Sequence, residues 1–123
     1  MPEPQAPTQT GGCSCGAVRF VADIDLDGDG LIACNCSNCG KKGLILGFIA
    51  PEAFRLTAGD DATHEYLFNK RVIRHQICNT CGTETFARGK DPDGSDRIAL
   101  NVRCIDDIEV DALHPKFWDG RST

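Results

Sequence analysis

Apolar and polar residues alternate with a period of two through much of this chain. From Ala17 to Ile24, Val18, Phe20 and Ala22 face one way and Arg19, Val21 and Asp23 the other, as in a half-buried strand. Arg97 to Arg103 repeats the pattern with Ile98, Leu100 and Val102. Leu31 to Cys34 reads as a short strand, and Leu44 to Ala50 as a buried strand carrying Phe48. His64 to Phe68 and Arg71 to Ile77 predict a hairpin around Asn69-Lys70, and Glu84 to Arg88 a further strand. Pro51 to Phe54 and Asp106 to Leu113 each predict one helical turn, with Phe54 to Thr57 extended between them. Gly59-Asp60-Asp61 and Asp91 to Asp96 carry turn residues. No long amphipathic helix and no tandem repeat is present. The pattern predicts an all-β domain of short strands over residues 13–123. Met1 to Gly12, rich in Pro, Thr and Gln, predicts a disordered tail, and Lys116 to Thr123 a second tail with the only Trp, Trp118.

Composition narrows the function classes. The chain has 123 residues and a net charge of -5, with no block of Lys or Arg. That balance disfavours nucleic acid and anionic membrane surfaces. The longest apolar stretch, Leu44 to Ala50, is too short to span a bilayer, and no export signal opens the chain, so a cytoplasmic location is expected. Asp23-x-Asp25-x-Asp27-Gly28-Asp29-Gly30 imitates the start of a calcium loop, but its twelfth position is Cys34 rather than Glu, so a solvated turn is expected.

Eight cysteines change the picture. They fall as Cys13-x-Cys15, Cys34-x-Cys36-x-x-Cys39, Cys78-x-x-Cys81-Gly82 and a single Cys104. Such groups in a chain without an export signal point to metal rather than disulfides. Thiolates are soft donors that favour zinc in tetrahedral sites. A tight loop can gather Cys34, Cys36 and Cys39, three ligands where zinc takes four. The fourth position is either completed from elsewhere, making a structural site, or left for water or substrate, making a catalytic one. Spacing permits two pairings. One joins Cys36 and Cys39 to Cys78 and Cys81. The other joins Cys13 and Cys15 to Cys78 and Cys81 and leaves the three cluster thiols as their own group. Zinc in both of the latter sites would bring the net charge to about -8. Cys104 reads as a buried thiol, a fourth ligand or a resolving thiol. His64, His75 and His114 have no ligand spacing and read as surface or hydrogen-bonded residues.

Gly12-Cys13-Ser14-Cys15-Gly16, the Cys34 to Cys39 group with Lys41-Lys42-Gly43, and Cys78-Asn79-Thr80-Cys81-Gly82 together resemble the glutathione-dependent formaldehyde-activating enzyme family, which includes the centromere protein V domain. The resemblance extends over nearly the whole chain after the tail, through Asn101-Val102-Arg103-Cys104. It implies a fold like the Mss4-type β-tent and a structural zinc at Cys13, Cys15, Cys78 and Cys81. It also implies a second, catalytic zinc at Cys34, Cys36 and Cys39. Asn35 and Gly40 stand where the family often has His and Arg. The implied activity is that of a carbon–sulfur lyase or synthase joining glutathione or a similar thiol to a small aldehyde. Ser37 and Asn38 can donate hydrogen bonds to sulfur or satisfy their own loop, and Lys41 and Lys42 can hold carboxylates or remain solvated. The rival expectations are a non-enzymatic zinc-stapled interaction domain and a thiol redox sensor.

Overall fold

The structure is a computed structural model that describes residues 7–26, 30–35, 37–68, 73–90 and 93–118. Cys36, the calcium-loop positions Asp27 to Asp29, the hairpin turn at Asn69-Lys70 and Asp91-Pro92 lie outside the described residues. The expected all-β tent is what the chain forms. Among the described residues ten strands run in order: β1 (Thr8–Gly12), β2 (Arg19–Asp23), β3 (Leu31–Cys34), β4 (Ile45–Ile49), β5 (Phe54–Ala58), β6 (Thr63–Phe68), β7 (Ile73–Cys78), β8 (Glu84–Lys90), β9 (Asp96–Asn101) and β10 (Lys116–Trp118). They build a three-stranded sheet, β1-β2-β5, and a seven-stranded sheet, β10-β3-β4-β9-β8-β7-β6. The one α-helix among the described residues, α1 (Ser37–Lys42), lies between β3 and β4.

Alternation along β2 puts Phe20 and Ala22 into the space between the sheets, where Leu31, Ile45, Ile49, Phe86, Ile98 and Leu100 meet them. Phe54 bridges the layers, its ring 5.7 Å from Phe20 and 4.6 Å from Phe86. The same alternation gives the large sheet an outer face. Register aligns Phe48, Ala99, Ala87, His75 and Tyr66 in one row across β4, β9, β8, β7 and β6.

Four expectations need correction. Residues 8–12, expected within a disordered tail, form β1 and pair antiparallel with β2 from Thr8↔Asp23 to Gly12↔Arg19. This polar, glycine-containing strand is held by its ladder and by Asp106, which accepts from Thr10 Oγ1 at 2.9 Å and takes a two-pronged ion pair from Arg19. Lys116 to Trp118, expected in the C-terminal tail, form β10, parallel to β3. Phe48 is not buried. It lies on the outer face and is 48% exposed. The strand expected through Arg103 ends at Asn101, whose side chain accepts from the Arg103 amide and caps a 3-10 turn over Val102–Cys104.

The loop expected around the Cys34 group is partly helical. Six residues of α1 close with Gly43 at φ +68, and the Leu44 amide bonds the Cys39 carbonyl at 3.1 Å. That is a Schellman ending, with Leu44 and Cys39 in the apolar contact that accompanies it. A Cβ on Gly43 would meet nothing within 4 Å, so substitution costs only backbone strain. Gly43→Ala is expected to destabilise by about 1 kcal/mol, read as a lowered urea midpoint at unchanged slope.

Candidate functional site

Two hairpins from different sheets meet at one end of the molecule. The β1–β2 connection carries Cys13 and Cys15, and the β7–β8 turn carries Cys78 and Cys81. Gly82, at φ +79, turns the second loop, and its amide bonds the Cys78 carbonyl at 3.0 Å. The four sulfurs lie within 4.8 Å of one another. Two edges, Cys13–Cys15 and Cys15–Cys78, measure 3.6 and 3.7 Å. A tetrahedron of sulfurs about 2.3 Å from zinc has edges of about 3.8 Å, so the set fits that ion. The Val18 amide donates to Cys13 Sγ at 3.3 Å and the Thr80 amide to Cys78 Sγ at 3.4 Å, as suits anionic sulfur.

The protonation pattern agrees. Hydrogen bonds from the Thr83 hydroxyl and amide pull Cys81 down to about 5. The Ala17 amide pulls Cys15 down as well, but burial and the neighbouring thiols outweigh it and raise Cys15 to about 11. Four crowded thiols cannot all ionise by themselves, and a dication offsets the repulsion. Among the described residues, this geometry brings Cys78 and Cys81 to Cys13 and Cys15 rather than to Cys39.

Cys34 and Cys39 lie elsewhere, on the outer face of the large sheet. Cys34 ends β3 and Cys39 sits on α1, and both pack on Leu44, Leu46, Ala87 and Ala99. Cys36 falls between them in sequence, outside the described residues. Small side chains at Ala87 and Ala99 leave room for the helix against the sheet. Gly40 does the same on the other side, since a Cβ there would stand 3.2 Å from the Asn35 carbonyl oxygen. Around this patch the outer face presents exposed aromatics: Trp118, which pairs with Cys34 in register, together with Phe48 and Tyr66.

Sequence reading missed what pins α1 down. Lys42 Nζ is 2.7 Å from Glu84 Oε1, and His75 Nδ1 is 2.9 Å from Glu84 Oε2. The Glu84 side chain is only 2% exposed. Lys42 also stands 5.0 Å from the Tyr66 ring centre, so it is committed to the fold rather than solvated. Of the three histidines, His75 is buried in this pair and His64 contacts Asn79 Oδ1 at 2.7 Å. Burial raises the Glu84 carboxyl, but His75 and Lys42 outweigh it and hold it below the usual carboxylate range. Its ionised form therefore favours the fold above the ordinary glutamate pKa, and this contribution fades as pH falls through the lowered value. Glu84→Gln is expected to destabilise by about 3 kcal/mol at pH 7 and to flatten the loss of stability below about pH 4.5, as read from urea melts across pH.

Cys104 is not beside the Cys34 patch in any contact among the described residues. Its thiol donates to the Glu84 carbonyl at 3.8 Å and accepts from Asn101 Nδ2 at 3.5 Å. Burial and the nearby Cys13 and Cys81 push it up to about 12. The Cys104 thiol is half-buried and hydrogen-bonded within the fold.

The sequence pattern of the glutathione-dependent formaldehyde-activating enzyme family matches residues 8–119. The chain belongs to this family. The match begins with β1 and runs past β10, the two strands that local pattern left as tails. Among solved structures, the fold is similar to a crystal structure of a Rhodobacter sphaeroides protein, with a TM-score of 0.75 and 25% identity over 89% of this chain and 99% of that one. No helix among the described residues is long and apolar enough to cross a membrane.

Proposed function

We propose that the protein joins a small thiol, glutathione or a relative of it, to a small aldehyde, or reverses that reaction, at Cys34, Cys36 and Cys39. Family membership supports the reaction class. The observation that carries the location is that Cys34 and Cys39 share one patch, away from the four-cysteine group and beneath an exposed aromatic rim. The four-cysteine group uses all its ligands on itself and fits a closed zinc. The three remaining thiolates leave a position open. A zinc held there would keep an incoming thiol deprotonated at neutral pH.

The chain's own groups then orient the reactants. Trp118, Phe48 and Tyr66 offer apolar surface that limits water around the reacting sulfur. Lys41, exposed at the end of α1, can reach a substrate carboxylate, whereas Lys42 is held by Glu84. In the forward direction the thiolate sulfur forms a bond to the aldehyde carbon. The carbonyl π pair moves to oxygen, which takes a proton from solvent, and the product is an S-hydroxymethyl thioether. The reverse step breaks the carbon–sulfur bond and returns the pair to sulfur.

Exchange spectroscopy of glutathione and formaldehyde tests this reading. The metal-loaded protein should speed formation of the S-hydroxymethyl adduct above the buffer rate. Saturable thiol binding with no acceleration for formaldehyde or any other small aldehyde would leave a binding domain rather than an enzyme.

A further inference from the structure

A second cleft opens on the inner side of the large sheet, where the small sheet no longer covers it. Its volume is about 350 Å³, and it is lined by Pro51, Arg74, Arg88, Lys90, Arg97 and Ile98, with Asp96 and Gly89 completing the wall. Four cations and one carboxylate give a local charge of +3, in a chain whose net charge is -5. Asp96 is held by Lys90 at 2.7 Å. Arg74 and Arg88 are directly opposite in the β7–β8 ladder. Like charges in that position repel. Arg88 lies 5.1 Å from the Phe86 ring centre, which fixes its guanidinium before any ligand arrives.

We infer that this cleft binds a small organic dianion, a phosphate ester or a dicarboxylate. Two adjacent guanidiniums match the oxygen geometry of either group, and the anion relieves their mutual repulsion. Ile98 and Pro51 supply an apolar wall for a short carbon skeleton, and the volume lies in the range of small-molecule sites. The site is separate from both cysteine groups. Arg74 is four residues along β7 from Cys78, roughly 13 Å at strand spacing, and points to the opposite face from Ala87 and Cys39. It follows that the ligand is distinct from the thiol and the aldehyde, and that binding leaves the cysteine chemistry intact.

Calorimetric titration of the full chain at low ionic strength tests the inference, with glycerol phosphate in one arm and succinate in the other. At least one probe should bind saturably, and its affinity should fall steeply as salt is added. Arg74→Gln and Arg88→Gln should each weaken that binding at least tenfold, and Arg88→Lys by less, since it keeps the charge but loses the fork. In buffer free of polyvalent anions, Arg74→Gln should melt at or above the parent temperature, because a like-charge neighbour is gone while Arg88 keeps its place on Phe86. Binding of phosphate alone or succinate alone identifies the ligand class. Saturable binding of neither probe, or equal binding by parent and both glutamine variants, overturns the proposal. A lower melting temperature of Arg74→Gln in anion-free buffer also overturns it, because the arginine pair would then be structural.

Discussion

Chelation of a metal held by Cys13, Cys15, Cys78 and Cys81, the group that could hold one, is expected to collapse the thermal stability of the whole domain. These residues close two hairpins from different sheets, so the site ties β1 and β2 to β7 and β8 at one end of the core. Structural zinc sites of this kind contribute on the order of 10 kcal/mol, comparable with the entire stability of a domain this size. Cys13 and Cys78 are buried while Cys15 and Cys81 are exposed, so without a metal four thiols crowd a half-buried corner. Chelation and Cys78→Ser should therefore produce the same broad, early melting transition. A melting curve that does not move after verified loss of all metal would show that the sulfurs are merely neighbours.

Cys39→Ser is expected to abolish the thiol chemistry while leaving the fold. Cys39 is buried on α1, and serine fills nearly the same space, so the cost is a polar hydroxyl against Leu44, Leu46, Ala87 and Ala99, about 1–2 kcal/mol. The helix stays pinned by the Lys42–Glu84–His75 group, which does not involve the sulfur, and by the backbone hydrogen bond of the Gly43 ending, which serine at 39 retains. Circular dichroism should match the parent, metal content should fall by one per chain, and adduct formation should drop to the buffer rate. Cys36→Ser should behave alike. Unfolding of either variant would contradict the division into a closed site for stability and an open site for chemistry.

The interior strands were legible because one face of each is buried and the other is not. In β2 and β9 that contrast prints directly as alternation. The continuous apolar run of β4 carries no such contrast, so it reads as wholly buried although Phe48 faces out. The residues Thr8–Gly12 and Lys116–Trp118 exist as strands because a neighbour, β2 or β3, offers a ladder, a cause that lies outside the segment itself. The four-cysteine group was legible as chemistry from residue type and local spacing. Its partnering across 63 residues between Cys15 and Cys78 was not, and the fold had to choose between two arrangements. Glu84 gave no signal at all. A lone acid in a strand looks like a solvent-facing residue until Lys42 and His75 are brought to it.

If a thiol completes a metal site at Cys34, Cys36 and Cys39, cobalt substitution will show it. Cobalt-loaded protein shows thiolate charge-transfer absorption that grows with the number of bound sulfurs. Adding glutathione should strengthen the band, with an affinity that rises with pH until the free thiol ionises near about 8.5. S-methylglutathione should leave the band unchanged, and Cys39→Ser should lose the response. If neither glutathione nor a simpler thiol alters the spectrum of the fully loaded protein, the site is closed and the account of its chemistry is wrong.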